Sequence, residues 1–132
     1  MKVRAFAWVS VVALAATVSV LARQEPPTDN VGLSVRAMEA FDVSQIGATG
    51  RSLRIREVEI APGGRFGIHS HENRPGLVQV QQGVMTELRP GGYEREYHPG
   101  DIMMELLDVT HWVENRGTEP VVMVAADIFQ PE

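Results

Sequence analysis

The chain has 132 residues, room for one domain at most, with a formal charge of −5 and no cysteine. The missing cysteine removes disulfides, thiolate metal ligands and a cysteine nucleophile, so stability and chemistry rest on other groups. The acidic balance, with arginines scattered rather than clustered, speaks against nucleic acid or an anionic membrane surface as a partner.

Residues 1–22 have the build of a secretion signal. Lys2 and Arg4 form a positive start, residues 5–20 an apolar stretch, and Val20-Leu21-Ala22 a small-residue cleavage site. A membrane anchor is the alternative, but the run from Ala5 to Ala22, about 18 residues, is at the short end for a spanning helix. Pro26-Pro27 would also end it abruptly. Cleavage predicts an exported protein, periplasmic or secreted, with no stable membrane partner. It leaves ten arginines against 17 acidic residues, a formal charge of −7.

Residues 23–50 make a polar arm followed by a first short element. Residues 31–44 mix apolar and polar side chains without a clear period, which suits a short strand and a helical turn equally. Gly47-Ala48-Thr49-Gly50 signals a turn. From 51 to 132 the pattern is β. Segments 54–60, 66–72, 76–82, 84–89, 93–98, 102–106, 109–114 and 121–129 are separated by Gly and Pro, the spacing of an all-β sandwich or barrel. In the third segment alternation places Gly76, Val78 and Val80 on one face and Leu77, Gln79 and Gln81 on the other.

Three of the four histidines fall in one pattern. His69 and His71 are two apart, so on a strand both imidazoles project from one face. His111 follows 40 residues after His71, far enough to return on a neighbouring strand. Three neutral imidazoles form a borderline donor set that accepts iron, manganese, zinc, nickel or copper. The alternative is a set of hydrogen-bonded interior histidines without an ion. Asn115, Gln79 and the backbone are the candidate acceptors for the second ring nitrogens.

The run from Gly63 through His69-Ser70-His71 resembles the first half of the cupin motif, G-x5-H-x-H-x(3,4)-E-x6-G, closing at Gly83. Gly100-Asp101 through His111 to Asn115 resembles the second half, G-x5-P-x-G-x2-H-x3-N. The resemblance covers roughly 51–129 and implies a single cupin-type β-barrel or jelly roll, all-β, with a divalent transition metal on His69, His71 and His111. It also implies a homodimer, since exposed outer strands of small cupins commonly pair. The sequence departs from the motif in three places. Gly76 stands where the metal-binding glutamate belongs, and Leu106 and Asp108 replace the proline and glycine of the second half. Glu72 directly follows His71 and so faces the opposite side. A three-histidine site without protein negative charge is the expectation.

Arg74, in the loop after the histidine pair, is the candidate substrate-binding residue, because a guanidinium there can clamp a carboxylate. Glu87 and Glu105 are further candidates around a substrate, and Glu105 shares strand parity with Met103, not Met104. Arg51, Arg54 and Arg56 sit on a preceding strand and are expected to matter little. Met103, Met104 and Met123 suit core filling, Trp112 packing, His98 an exposed turn, and Tyr93 and Tyr97 a strand surface. The nucleophile-elbow, Walker and H-E-x-x-H patterns are all absent. The expected function is a metal-dependent small-molecule enzyme of the dioxygenase type. The alternative is a non-catalytic module that binds a metal or small ligand.

Overall fold

The computed structural model describes residues 25–131, and the secretion signal expected over 1–22 lies outside the described residues. Eight antiparallel strands carry the fold: β1 Val31–Asp42, β2 Ser52–Ser70, β3 Gly76–Gln82, β4 Met85–Arg89, β5 Tyr93–Tyr97, β6 Ile102–Glu105, β7 Thr110–Glu114 and β8 Val121–Phe129. They hydrogen-bond in the order β5-β4-β7-β2-β8-β3-β6, with β1 laid against β2. The sheet curls into a nearly closed barrel, the cupin-type jelly roll that the sequence predicts.

Two elements differ from the sequence reading. The undecided segment at 31–44 is a strand of 12 residues along the first half of β2, followed by a single 3-10 turn, Ser44–Ile46. The two segments predicted at 54–60 and 66–72 are one bent strand. Its first half pairs β8 through Ser52–Ile60, and its second half pairs β7 from Arg65 onward. Ala61-Pro62-Gly63-Gly64 was expected to end a strand, and instead it turns β2 from one side of the barrel to the other. Gly63 has φ +73°, a conformation open to glycine but strained for other residues.

Strand alternation fills the barrel. Val58 of β2, Val80 of β3 and Met123 of β8 meet across two ladders, with Val78 opposite Met103 and Ala125. Ile60, Val80, Met85 and Val121 are completely buried, and each such side chain stabilises the fold by about 1.5–3 kcal/mol. This apolar cluster occupies one end of the interior. Further along the same inward faces the residues become polar: Arg54 and Arg56 on β2, Glu105 on β6 and Asp127 on β8. The polar end holds the candidate site.

Candidate metal centre

His69 and His71 come from the end of β2 and the residue after it, and His111 from β7, whose register places His69 directly opposite His111. The three rings pack edge to face with centroids 4.7–5.0 Å apart. His111 Nε2 lies 3.1 Å from His71 Nε2 and 3.2 Å from His69 Nε2.

The other ring nitrogens decide what those contacts mean. His69 Nδ1–H donates to the Gly67 carbonyl at 2.8 Å, His71 Nδ1–H to the Arg74 carbonyl at 3.1 Å, and His111 Nδ1–H to Glu87 Oε1 at 3.0 Å. Carbonyls and carboxylates only accept, so each Nδ1 carries a proton, and a ring in its neutral form presents a lone pair on Nε2. Burial holds His69 and His71 in that neutral form and lowers the pKa of each to about 4. The Nε2 atoms of the three rings then face one another. Two nitrogens bound to one ion at about 2.1 Å stand roughly 3.0 Å apart at a right angle and 3.4 Å apart in a tetrahedron. The observed separations lie between these values, so the donor set fits a divalent transition metal.

A carboxylate joins the histidines. Glu105 is 5% exposed, with Oε2 3.4 Å from His71 Nδ1 and Oε1 3.8 Å from His111 Nε2. One donor atom from each of His69, His71, Glu105 and His111 falls within 4.8 Å of the others, so the four residues could hold an ion. The structure thus sets a carboxylate beside the three histidines, where the sequence reading expected none. It stands across from the position where the motif glutamate is missing, because Gly76 and Glu105 are direct partners on the β3–β6 ladder.

Gly76 also has a steric explanation. Its partner on the other side is Asp127 of β8. A Cβ at position 76 would lie 2.6 Å from the Ala126 carbonyl oxygen and 2.9 Å from Asp127 Cβ. The close approach of β8 leaves no space for a side chain. Glu72 is exposed, as strand parity suggests, and Met103 is inward, but Met104, expected to fill the core, is 52% exposed because it lies on the opposite face of β6.

Two buried charge clusters flank the histidines. Glu87 is fully buried and accepts from His111, from Arg89 Nε at 2.8 Å and from Tyr97 Oη at 2.9 Å. Burial alone would raise its pKa, but these hydrogen bonds outweigh burial and bring it to about 2. Tyr97 is therefore an interior residue and not the strand-surface residue expected. The second cluster is Asp127, which receives Arg54 at 2.7 Å and Arg56 and Arg74 at 3.0 Å each. Arg56, expected to matter little, projects inward and lines the same small cavity as Arg74, the three histidines and Glu105. That cavity has about 20 Å³ of free volume, room for little more than a water or an ion. Asn115 bonds to the Ile60 and Glu119 carbonyls and so serves the β2 bend instead of a histidine. His98 is exposed.

A curled antiparallel barrel with imidazoles and a carboxylate gathered inside one end defines a class of small β-barrels whose interior could hold a metal. Residues 56–127 match the cupin domain family, and the chain belongs to it. No curated protein matches the chain. Among solved structures it is similar to the cupin domain of an XRE family transcriptional regulator from Enterobacter cloacae, at 17% identity over 76% of this chain and 99% of that one, TM-score 0.59. It is also similar to a predicted oxalate decarboxylase from Thermotoga maritima, at 15% identity over 80% and 94%, TM-score 0.59. A third is an oxalate oxidase in complex with the substrate analogue glycolate, at 23% identity over 75% and 55%, TM-score 0.56. These likenesses define the fold.

Proposed function

We propose that the protein is an exported, metal-dependent cupin enzyme acting on a small molecule by oxygenase-type chemistry. The observation that carries this reading is the convergence of three Nε2 atoms beside the Glu105 carboxylate. A bound iron or manganese ion would supply Lewis acidity and one-electron redox chemistry. The four protein donors would hold that ion and leave coordination positions open on it. The chain's own groups prepare the site. The Gly67 and Arg74 carbonyls and Glu87 fix the imidazole tautomers, and burial keeps His69 and His71 neutral. Arg74, at the rim, adds positive charge for an anionic substrate.

The test is elemental analysis of the purified protein together with oxygen uptake across a panel of small substrates. Iron or manganese with oxygen uptake supports the oxygenase. Zinc alone with no uptake favours the second reading, a non-catalytic metal- or ligand-binding module, which the very small cavity and the regulator-type structural neighbour support.

The reading includes a homodimer. β8 contains six consecutive apolar residues, Val121 to Ala126, the pattern of a strand covered on both faces. Its outward side chains continue onto neighbouring strands. Phe41, Leu53 and Ile128 form one row, and Ile55, Ala126, Leu77 and Met104 form a second. Five strands about 4.8 Å apart and some six residues long present on the order of 500 Å². That patch, β1 included, is more than half of the roughly 800 Å² per partner of a stable interface. A single flat patch of this kind is self-complementary about a two-fold axis, so a second copy of the chain is its occupant.

A further inference from the structure

We propose that Glu87 is a positioning residue whose charge sets the donor strength of His111 and, through that ring, the affinity and reduction potential of the metal centre. The inference rests on the metal-site reading and adds to it the residue, outside the donor set, that tunes the ion.

The first observation is an asymmetry among the three histidines. His69 and His71 donate Nδ1–H to the backbone carbonyls of Gly67 and Arg74, at 2.8 and 3.1 Å. His111 donates to a carboxylate instead, Glu87 Oε1 at 3.0 Å. A carbonyl is enough to fix a tautomer, as the first two rings show, so orientation alone does not call for a carboxylate. What Glu87 adds is a full negative charge. A charged acceptor at Nδ1 pulls on the ring proton and makes the opposite nitrogen a stronger donor. In His111 that nitrogen is Nε2, the atom that meets both other histidines.

The second observation is how the charge is kept. Met85, Glu87 and Arg89 alternate along β4, and Met85 and Glu87 are completely buried. An apolar side chain would fill the position of Glu87 without taking a charge out of water. The carboxylate is instead held ionised by donors. Oε1 accepts from Arg89 Nε at 2.8 Å as well as from His111, and Oε2 accepts from Tyr97 Oη at 2.9 Å. These bonds hold its pKa at about 2 against the effect of burial.

The same contacts give the neighbours opposite roles. Arg89 shares Oε1 with His111, so its guanidinium competes for the charge that acts on the ring. Its own position is set by stacking over Tyr93, 4.5 Å from the ring centroid. Tyr97 draws on the same carboxylate as a neutral donor. In a buried region charges act over longer range than in water, and an anion favours the higher of two metal charges. Glu87 therefore strengthens metal binding and lowers the potential, while Arg89 and, more weakly, Tyr97 hold that effect in check.

The experiment compares the parent with Glu87→Gln, Arg89→Met and Tyr97→Phe. Zinc affinity is measured by competition with a chelator. The potential of iron-loaded protein is measured by redox titration, followed through the electron paramagnetic resonance of Fe(III). The couple is Fe(III) plus one electron giving Fe(II), with no proton or ligand exchanged. Glutamine keeps an oxygen for His111 and Arg89 and an NH2 for Tyr97 Oη, so it removes the charge and preserves the bonds. It should weaken zinc about 10- to 100-fold. It should also raise the potential, by about 59 mV for each tenfold by which Fe(III) affinity falls more than Fe(II) affinity. Arg89→Met should shift both quantities the other way, and Tyr97→Phe should follow it by a smaller amount. A residue that only packs the site would weaken metal in every variant, so the opposite signs carry the test. An unchanged potential in Glu87→Gln, or shifts of the same sign in Glu87→Gln and Arg89→Met, overturns the proposal and leaves the metal-site reading standing. A parent that takes up neither zinc nor iron overturns both. If Glu87→Gln does not fold, Tyr97→Phe decides, because Tyr97 is uncharged and reaches His111 through Glu87. A lowered potential there supports the proposal, and an unchanged or raised one overturns it.

Discussion

Glu105→Gln separates the metal-binding role of the carboxylate from its role in folding, because the two effects have opposite signs. In the metal-free protein the buried carboxylate is a burden. Its pKa is raised chiefly by burial, which the nearby His111, Arg74 and Arg56 only partly offset. A neutral amide of the same shape should leave stability unchanged or slightly higher. In the metal-bound protein the same change removes the single protein charge in the donor set. Losing a charge-assisted contact of about 1.5–3 kcal/mol weakens affinity by roughly one to two powers of ten. At a metal concentration 100 times the parent's Kd, binding stabilises the parent by about 2.7 kcal/mol. A variant 30-fold weaker gains only about 0.9 kcal/mol under the same conditions. At about 4 °C per kcal/mol for a domain of this size, the metal-induced rise in Tm shrinks by roughly 7 °C. Thermal unfolding with and without manganese, and competition against a chelator, read both effects. An unaltered metal-induced shift in Glu105→Gln would show that the carboxylate is not a ligand.

Three other outcomes follow from the same geometry. Gly76→Glu restores the motif residue in sequence but drives its Cβ into the β8 backbone, so it should lower stability and fail to tighten metal binding. A well-folded variant that holds metal more tightly would refute the steric account. In the metal-free protein, burial holds the folded pKa values of His69 and His71 near 4, against an ordinary 6.5. Between those values the unfolded chain takes up protons that the folded one refuses, so stability should fall as pH drops from about 6.5 to about 4. Denaturant midpoints that stay level over that window would contradict the buried neutral imidazoles. Leu77→Glu places a charge in the outward apolar row and should convert a dimer to monomer in light scattering, whereas a monomeric parent would remove the basis for that interface.

The histidine constellation was legible because period-2 alternation and two glycine-anchored spacings locate His69, His71 and His111 without knowledge of the fold. The same alternation paired Glu105 with Met103, and the motif spacing counted back from Gly83 put the missing ligand position at Gly76. It could not show that those two positions are cross-strand partners, because register between distant strands is a tertiary fact. Glu87 and Tyr97 were misjudged for the same reason. Their strands carry mixed polar residues, and only the β4–β5 and β4–β7 pairings bring Tyr97, Arg89 and His111 onto one carboxylate. Arg56 was discounted as a strand arginine. Its parity with Val58 and Ile60 was the available signal that it faces inward. The bend in β2 was hidden because Pro62-Gly63-Gly64 looks locally like a stop, and two different partner strands carry the chain through it.

The most direct test of the central claim is metal stoichiometry. The protein would be loaded with manganese or iron, freed of excess ion by gel filtration and measured for metal per chain, beside His71→Ala, His111→Ala and His98→Ala. The account predicts about one ion per chain in the parent and in His98→Ala, whose side chain is exposed and outside the donor set. It predicts essentially none in His71→Ala and His111→Ala, with the β-sheet circular dichroism retained in both. Near-parental metal in either of those two variants, or none in the parent, would contradict it.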